Sequence, residues 1–121
     1  MDPRAIPLAN EKQVSRIYEM VMQAKGIRGS ARGVNEVTKA LNKGRARLVL
    51  IAADALPLEL VLHLPDVCED KGVAYIFVPS RQELGKAAGL SRSCVAIAIK
   101  NPRSGTILED KLNAFLMELG H

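Results

Sequence analysis

An amide, a carboxylate and two amines stand at helical spacing in the run Arg32-Gly33-Val34-Asn35-Glu36-Val37-Thr38-Lys39-Ala40-Leu41-Asn42-Lys43-Gly44. Asn35, Glu36, Lys39 and Lys43 fall on one side of such a helix. An amide donates and accepts, a carboxylate only accepts, and an ammonium only donates. Glu36 would repel a phosphodiester, so at a nucleic-acid surface its use is to accept hydrogen bonds from base amino or imino groups. Lys39, one turn on, neutralises the cluster and donates to a base or a phosphate. Gly33 stands where the helix begins. Unpartnered N–H groups and the positive dipole end let an anion approach there with no side chain in the way. The same residues also fit an ordinary amphipathic helix whose Glu36 and Lys39 pair in solvent.

Displaying one face requires burying the other, and Val34, Val37 and Leu41 supply an apolar stripe opposite the polar one. Around this helix the chain alternates helices with short apolar strands. A poorly ordered start, Met1 to Pro7, precedes a helix from Asn10, its N-cap, to Lys25, with Val14, Ile17, Tyr18 and Val21 inward. Gly26 to Arg32 is a basic loop with room for a short strand, and the display helix ends at Gly44. Next come a strand at 48–53, apolar enough to be buried on both faces, and a helix from Pro57 to Lys71 opened by its proline. A strand at 74–78, a short helix from Ser80 to Ala88 and a strand from Cys94 to Ile99 follow. The last helix, Thr106 to Leu119, turns Leu108, Leu112, Phe115, Leu116 and Leu119 inward. This order predicts an α/β fold of a single domain, a three-layer α/β/α sandwich around a central mixed sheet of four strands.

Charge is uneven along the chain. The net +4 of these 121 residues divides into +6 over residues 1–47 and −2 over residues 48–121, so the basic potential belongs to the half with the display helix. Asp54, Glu59, Asp66, Glu69 and Asp70 make an acidic stretch, which is either a solvated helix face or a surface for a basic protein partner. Two Phe and two Tyr are too few for recognition by broad aromatic stacking. Cys68 and Cys94 lie far apart without His neighbours, which reads as free buried thiols in a reducing compartment, with no metal or other cofactor. No membrane-length apolar run and no signal peptide are read, so a soluble intracellular protein is expected.

Several further motifs keep a fixed order: Leu48 to Asp54, Leu58-Glu59-Leu60-Val61-Leu62-His63-Leu64-Pro65, Cys68-Glu69-Asp70-Lys71, Tyr75-Ile76-Phe77-Val78-Pro79-Ser80-Arg81, Leu84-Gly85 and Ala88-Gly89-Leu90-Ser91-Arg92. With Gly-x-Asn-Glu-x-Thr-Lys ahead of them, the chain resembles the kink-turn RNA-binding family from Ala5 onward. That family includes an archaeal ribosomal and box C/D protein and a eukaryotic subunit shared by U4 spliceosomal and box C/D nucleolar particles.

The resemblance implies a site. Tandem sheared G·A pairs beside a bulge bend an RNA duplex and expose guanine edges that an A-form groove hides. Asn35, Glu36 and Lys39 would bond those edges, Gly33 would admit the backbone, and Arg32 and Lys43 would hold phosphates. The loop Gly89-Leu90-Ser91-Arg92 would lie over the bulge with Leu90 on the bases, and a flipped-out nucleotide would enter a pocket matching Leu60, Arg81, Arg92 and Val95. Leu56 departs from an acidic residue usual in eukaryotic members, Ser93 from a proline and Val34 from an alanine.

The partners so implied are kink-turn RNA (U4 small nuclear RNA, box C/D small nucleolar RNA, ribosomal RNA for the archaeal type) and proteins that assemble on the RNA–protein surface. The chain would be monomeric without RNA, and nuclear and nucleolar, or cytoplasmic if archaeal. Ser91-Arg92 and Ala5-Ile6-Pro7-Leu8-Ala9 favour the eukaryotic type. An enzyme of α/β type is the rival class, resting on Asp54 after an apolar strand and on His63. His63 lies among apolar residues as a packed helix position, Asp54 suits a cap, and no phosphate loop, nucleophile elbow or paired metal ligands appear, so the chain is read as no enzyme.

Overall fold

Alternation along Leu48-Val49-Leu50-Ile51 decides the layering of the molecule. Leu48 and Leu50 enter one hydrophobic cluster and Val49 and Ile51 enter a second, so the strand Ala46–Ala52 is buried on both faces. The structure, a computed structural model, describes residues 4–25 and 29–120. Its elements in chain order are α1 (Glu11–Lys25), β1 (Ser30–Arg32), α2 (Val34–Asn42), β2 (Ala46–Ala52), α3 (His63–Lys71), β3 (Ala74–Val78), α4 (Arg81–Ala87), β4 (Ala96–Lys100) and α5 (Ile107–Glu118). The four strands form one mixed sheet in the order β1-β4-β2-β3. β4 runs antiparallel to both its neighbours, while β2 and β3 are parallel. α1, α4 and α5 contribute to the first cluster and α2 and α3 to the second, which makes the α/β/α sandwich expected from the sequence.

Local chemistry accounts for the boundaries. The Asn10 side chain accepts from the Gln13 amide at 2.9 Å while the Gln13 side chain accepts from the Asn10 amide at 3.0 Å, a reciprocal box that starts α1. In α1 the buried positions are Ile17, Met20, Val21 and Ala24, with Val14 and Tyr18 only packed against their rim. Ser80 and Thr106 cap α4 and α5 by accepting from the amides of Glu83 and Glu109, both at 3.2 Å. β2 begins at Ala46, two residues earlier than the apolar run suggested, and β4 begins at Ala96, two residues later.

One expected helix is divided. Between Pro57 and Lys71 the chain makes a short 3-10 turn over Leu58–Leu60 and then restarts as α3 at His63. Pro65 explains the break: it has no N–H for the Val61 carbonyl, so a helix running through it from Leu58 would lose a bond and meet the ring. Within the first turn of α3 that missing donor costs nothing, because those amides have no helical partner anyway.

Residues 7–9 lie along the outer side of β3, while residues 1–3 of the expected poorly ordered start lie outside the described residues. The Phe77 amide donates to Pro7 O and the Ala9 amide to Phe77 O, each at 2.8 Å, and Ala5 and Ala9 are buried.

Candidate nucleic-acid interface

Strand directions gather the functional segments at one end of the sheet. β1, β2 and β3 end there and β4 begins there, so the start of α2, the turn after β2, the start of α4 and the loop 89–95 are neighbours in space. Open α/β sheets bind ligands outside the carboxyl ends of their strands.

Gly33 joins sheet to helix. Its amide donates to Ala96 O at 2.8 Å, closing the β1–β4 ladder, and its carbonyl accepts from the Val37 amide at 2.9 Å, opening α2. Serving both roles sets φ to +95° and ψ to 157°, a conformation L side chains rarely adopt. An added Cβ would meet nothing within 4 Å, so the need for glycine lies in the backbone and the space above it is open. No side chain caps α2, which leaves the amides of its first turn facing that space.

Arg32, Asn35, Glu36, Lys39 and Lys43 are exposed, whereas Val37, Ala40 and Leu41 are buried. Ala40 rather than Val34 completes the inner stripe. Val34 is half-buried, and its carbonyl accepts from the Thr38 hydroxyl at 2.8 Å. α2 stops at Asn42, not at Gly44: Gly44, at φ +69°, donates to Leu41 O while the Arg45 amide donates to Ala40 O, the paired closing bonds of a glycine-ended helix. Glu36, Lys39 and Lys43 enter no ion pair among the described residues, so the solvent pairing of Glu36 with Lys39 is not formed.

The loop after α4 is held by backbone. Leu90 donates to Gly85 O at 2.9 Å and Gly89, at φ +77°, donates to Lys86 O at 3.0 Å. This closure turns Leu90 partly inward against the cluster beside α4, so the side chain is at once an anchor and a half-exposed apolar surface. Arg92 O then lies 2.2 Å from where a Cβ of Gly85 would stand, with Cys94 N and Ser93 Cα at 3.1 Å. Gly85 therefore admits the loop to the helix. The sequence signal for this was a glycine inside a helical pattern, which marks a close backbone approach.

Asp54 and Arg81 tie the turn after β2 to α4. The Asp54 carboxylate accepts from the Arg81 amide at 2.8 Å and the Arg81 guanidinium donates to Asp54 O at 2.9 Å. Asp54 is thus a cap, for α4 rather than the helix following it in sequence. Nearby, the buried Tyr18 hydroxyl has no partner among the described residues, and burial first, then Glu83 and Asp54, raise its pKa.

Two open grooves occupy this end. One, of about 480 Å³, is lined by residues of α4 and the loop, including Lys86, Leu90, Ser91 and Arg92. Another, of about 460 Å³, runs along Ala53 to Glu59 with Arg4. Of Leu60, Arg81, Arg92 and Val95, only Arg92 lines either groove. Leu60 is exposed, Arg81 is held by Asp54, and Val95 packs toward the α2 layer. The acidic stretch is dispersed: Asp54 caps α4, Glu59 pairs with Arg4, Glu69 accepts from the Tyr75 hydroxyl, and Asp66 and Asp70 face solvent. His63 is exposed in the first turn of α3, not packed as the residues around it suggested. Cys68 and Cys94 are buried free thiols, and no group of residues suited to a metal occurs among the described residues. No helix is long and apolar enough to cross a membrane among the described residues.

Fold and surface together define a small α/β protein that presents one uncapped helix start and one glycine-braced loop at the same end of a mixed sheet. The chain belongs to the ribosomal protein L7Ae/L30e/S12e/Gadd45 family, whose profile matches residues 15–109. It is 43% identical to the 13 kDa ribonucleoprotein-associated protein of Candida glabrata over 96% of this chain and 97% of that one. With NHP2-like protein 1 of Xenopus tropicalis it shares 46% identity, over 82% of this chain and 77% of the relative. The solved 15.5kD RNA binding protein of Giardia lamblia superposes with a TM-score of 0.93 at 39% identity, covering 99% and 98% of the two chains. The resemblance drawn from the motifs is borne out.

Proposed function

We propose that this protein is an RNA-binding subunit of ribonucleoprotein particles, a single domain that recognises kink-turns and holds the RNA bent for later assembly proteins. One observation carries the reading: the open amides and polar face of α2 lie at the same end of the sheet as the loop 89–95, joined through the Gly33–Ala96 hydrogen bond. A bent duplex presents purine edges and a bulge side by side, and this end presents two matching surfaces. Asn35, Glu36 and Lys39 read the sheared purine pairs, Gly33 admits the backbone, and Arg32 and Lys43 hold phosphates. Leu90, Ser91 and Arg92 cover the bulge, with Leu60, Arg81 and Val95 around the extruded nucleotide.

Relatives named as ribonucleoprotein-associated, and a structural neighbour named as RNA-binding, support the class. Yeast and vertebrate relatives favour the particle type shared by U4 spliceosomal and box C/D nucleolar assemblies, hence the nucleus and nucleolus. Native-gel titration with a kink-turn RNA and a same-length duplex without the bulge tests the proposal. Retention of the kinked RNA alone supports it; equal affinity for both would sink it. RNA crosslinked in cells and sequenced then identifies the particle.

A further inference from the structure

A cavity of about 90 Å³ lies at the far end of α2, lined by Glu36, Lys39, Ala40, Lys43, Arg45 and Lys100. Four cations thus face one small space with a single carboxylate among them. Arg45 and Lys100 are not part of the base-reading face. Arg45 follows the closing glycine of α2, and Lys100 ends β4, opposite the end where the loop 89–95 enters it. Ala96 and Ala98 point into the α2 layer and Ile97 and Ile99 away from it, so strand alternation puts Lys100 beneath α2 as well. A hydrogen bond of 3.2 Å from the Asn101 amide to Arg45 O fixes the two segments together. Neither Arg45 nor Lys100 enters an ion pair among the described residues.

Both routes along the fold give a similar distance from Gly33 at the start of α2. The eight steps of α2 rise about 12 Å at 1.5 Å each. The five residues of β4 span about 14 Å at 3.4 Å per step. Glu36 and Lys39 line the same cavity, so Arg45 and Lys100 extend the reading face toward the end of α2 and meet the polyanion where it runs on past the bases. Four cations around a single carboxylate repel one another, and a phosphate chain relieves that repulsion.

We infer that Arg45 and Lys100 form a second phosphate-holding site, which takes the backbone of the RNA stem that continues past the sheared purine pairs. The inference rests on the kink-turn reading and adds to it a requirement for stem length. A kink-turn whose stem stops at the purine pairs reaches Asn35 and Glu36 but leaves Arg45 and Lys100 idle.

The test compares a kink-turn RNA whose stem ends just beyond the purine pairs with one extended there by a full helical turn. Affinity is followed against salt for wild type, for Arg45→Gln/Lys100→Gln, and for a control Lys12→Gln/Lys71→Gln that removes two exposed cations lining none of the grooves described. Each phosphate contact contributes about 0.7–0.9 to the slope of log affinity on log salt. Wild type is expected to show the steeper slope on the long stem, and the Arg45/Lys100 variant to lose that excess and several-fold in affinity there. On the short stem it should match wild type. Equal losses on both stems, no loss on either, or the same loss in the control overturns the site while leaving the kink-turn reading intact if wild type still prefers the kink. Indifference of wild type to the kink overturns the underlying reading instead.

Discussion

Arg92 sits backbone-against-backbone on Gly85: its carbonyl oxygen fills the space, 2.2 Å away, that a side chain at position 85 would need. Neither a main-chain oxygen nor a helix can rotate aside, so the loop over the proposed bulge site is placed by the absence of one carbon atom.

Gly85→Ala follows from that contact. Alanine gains about 1 kcal/mol of helix propensity, but overpacking against backbone costs about 1–3 kcal/mol. We expect a small net destabilisation and a displaced loop. Affinity should fall more for a kink-turn with a full bulge than for one with a shortened bulge. A variant with wild-type melting and equal losses on both RNAs would show that the contact yields without moving the loop.

The display face separates reading from charge. Asn35→Ala or Glu36→Ala should cost about 1–3 kcal/mol of binding and relax the requirement for G·A pairs, leaving the salt slope nearly unchanged. Lys39→Ala should weaken binding and flatten the slope by roughly one counterion. Three variants with wild-type affinity would remove the proposal that α2 reads bases.

Asp54→Ala removes the acceptor for the Arg81 amide while leaving the Asp54 carbonyl that holds the Arg81 side chain. The loss of a capping bond should cost about 1–2 kcal/mol of stability, read from denaturant unfolding. Fraying at the start of α4 should appear as faster amide exchange at Arg81. Unchanged exchange would show that the carbonyl contact suffices.

Alkali should destabilise the fold through Cys68. Burial, aided by Glu69, pushes this thiol up from 9.0 to about 12. The folded state keeps the proton that the unfolded state releases, so the stabilisation is complete below pH 9 and disappears as pH rises toward 12. Tyr18 and Tyr75, both raised mainly by burial, act in the same direction. Cys68→Ala should show a shallower fall of melting temperature across that window, and native Cys68 should resist alkylation at neutral pH. A fall as steep as that of wild type would assign the effect to the tyrosines.

Much of the architecture was legible because burial writes its period into the chain. The apolar run through Leu48 to Ala52 identified a strand covered on both faces, and Asn10 announced its helix by capping chemistry. The helix proposed over Pro57 to Lys71 overlooked the second proline, whose missing amide forbids a continuous run. Contacts between segments distant in sequence were illegible. Nothing in Asp54 says that it caps Arg81, and nothing in Lys100 says that it lies beneath Lys43. Of the residues assigned to RNA, those on α2 share a helix and are found together as expected. Leu60, Arg81 and Val95 come from separate segments, and their relation is decided by tertiary packing that no local pattern records.

Pro7 to Ala9, paired along the flank of β3, have a consequence for crowded conditions. A sheet's outermost strand offers free main-chain groups to any stray chain, and that invitation drives edge-to-edge aggregation. Here one flank is already taken by the protein's own leader, and the other is only the three residues Ser30–Arg32, ending in a charge. Copies brought together at high concentration therefore find little to template a growing sheet and should remain dispersed.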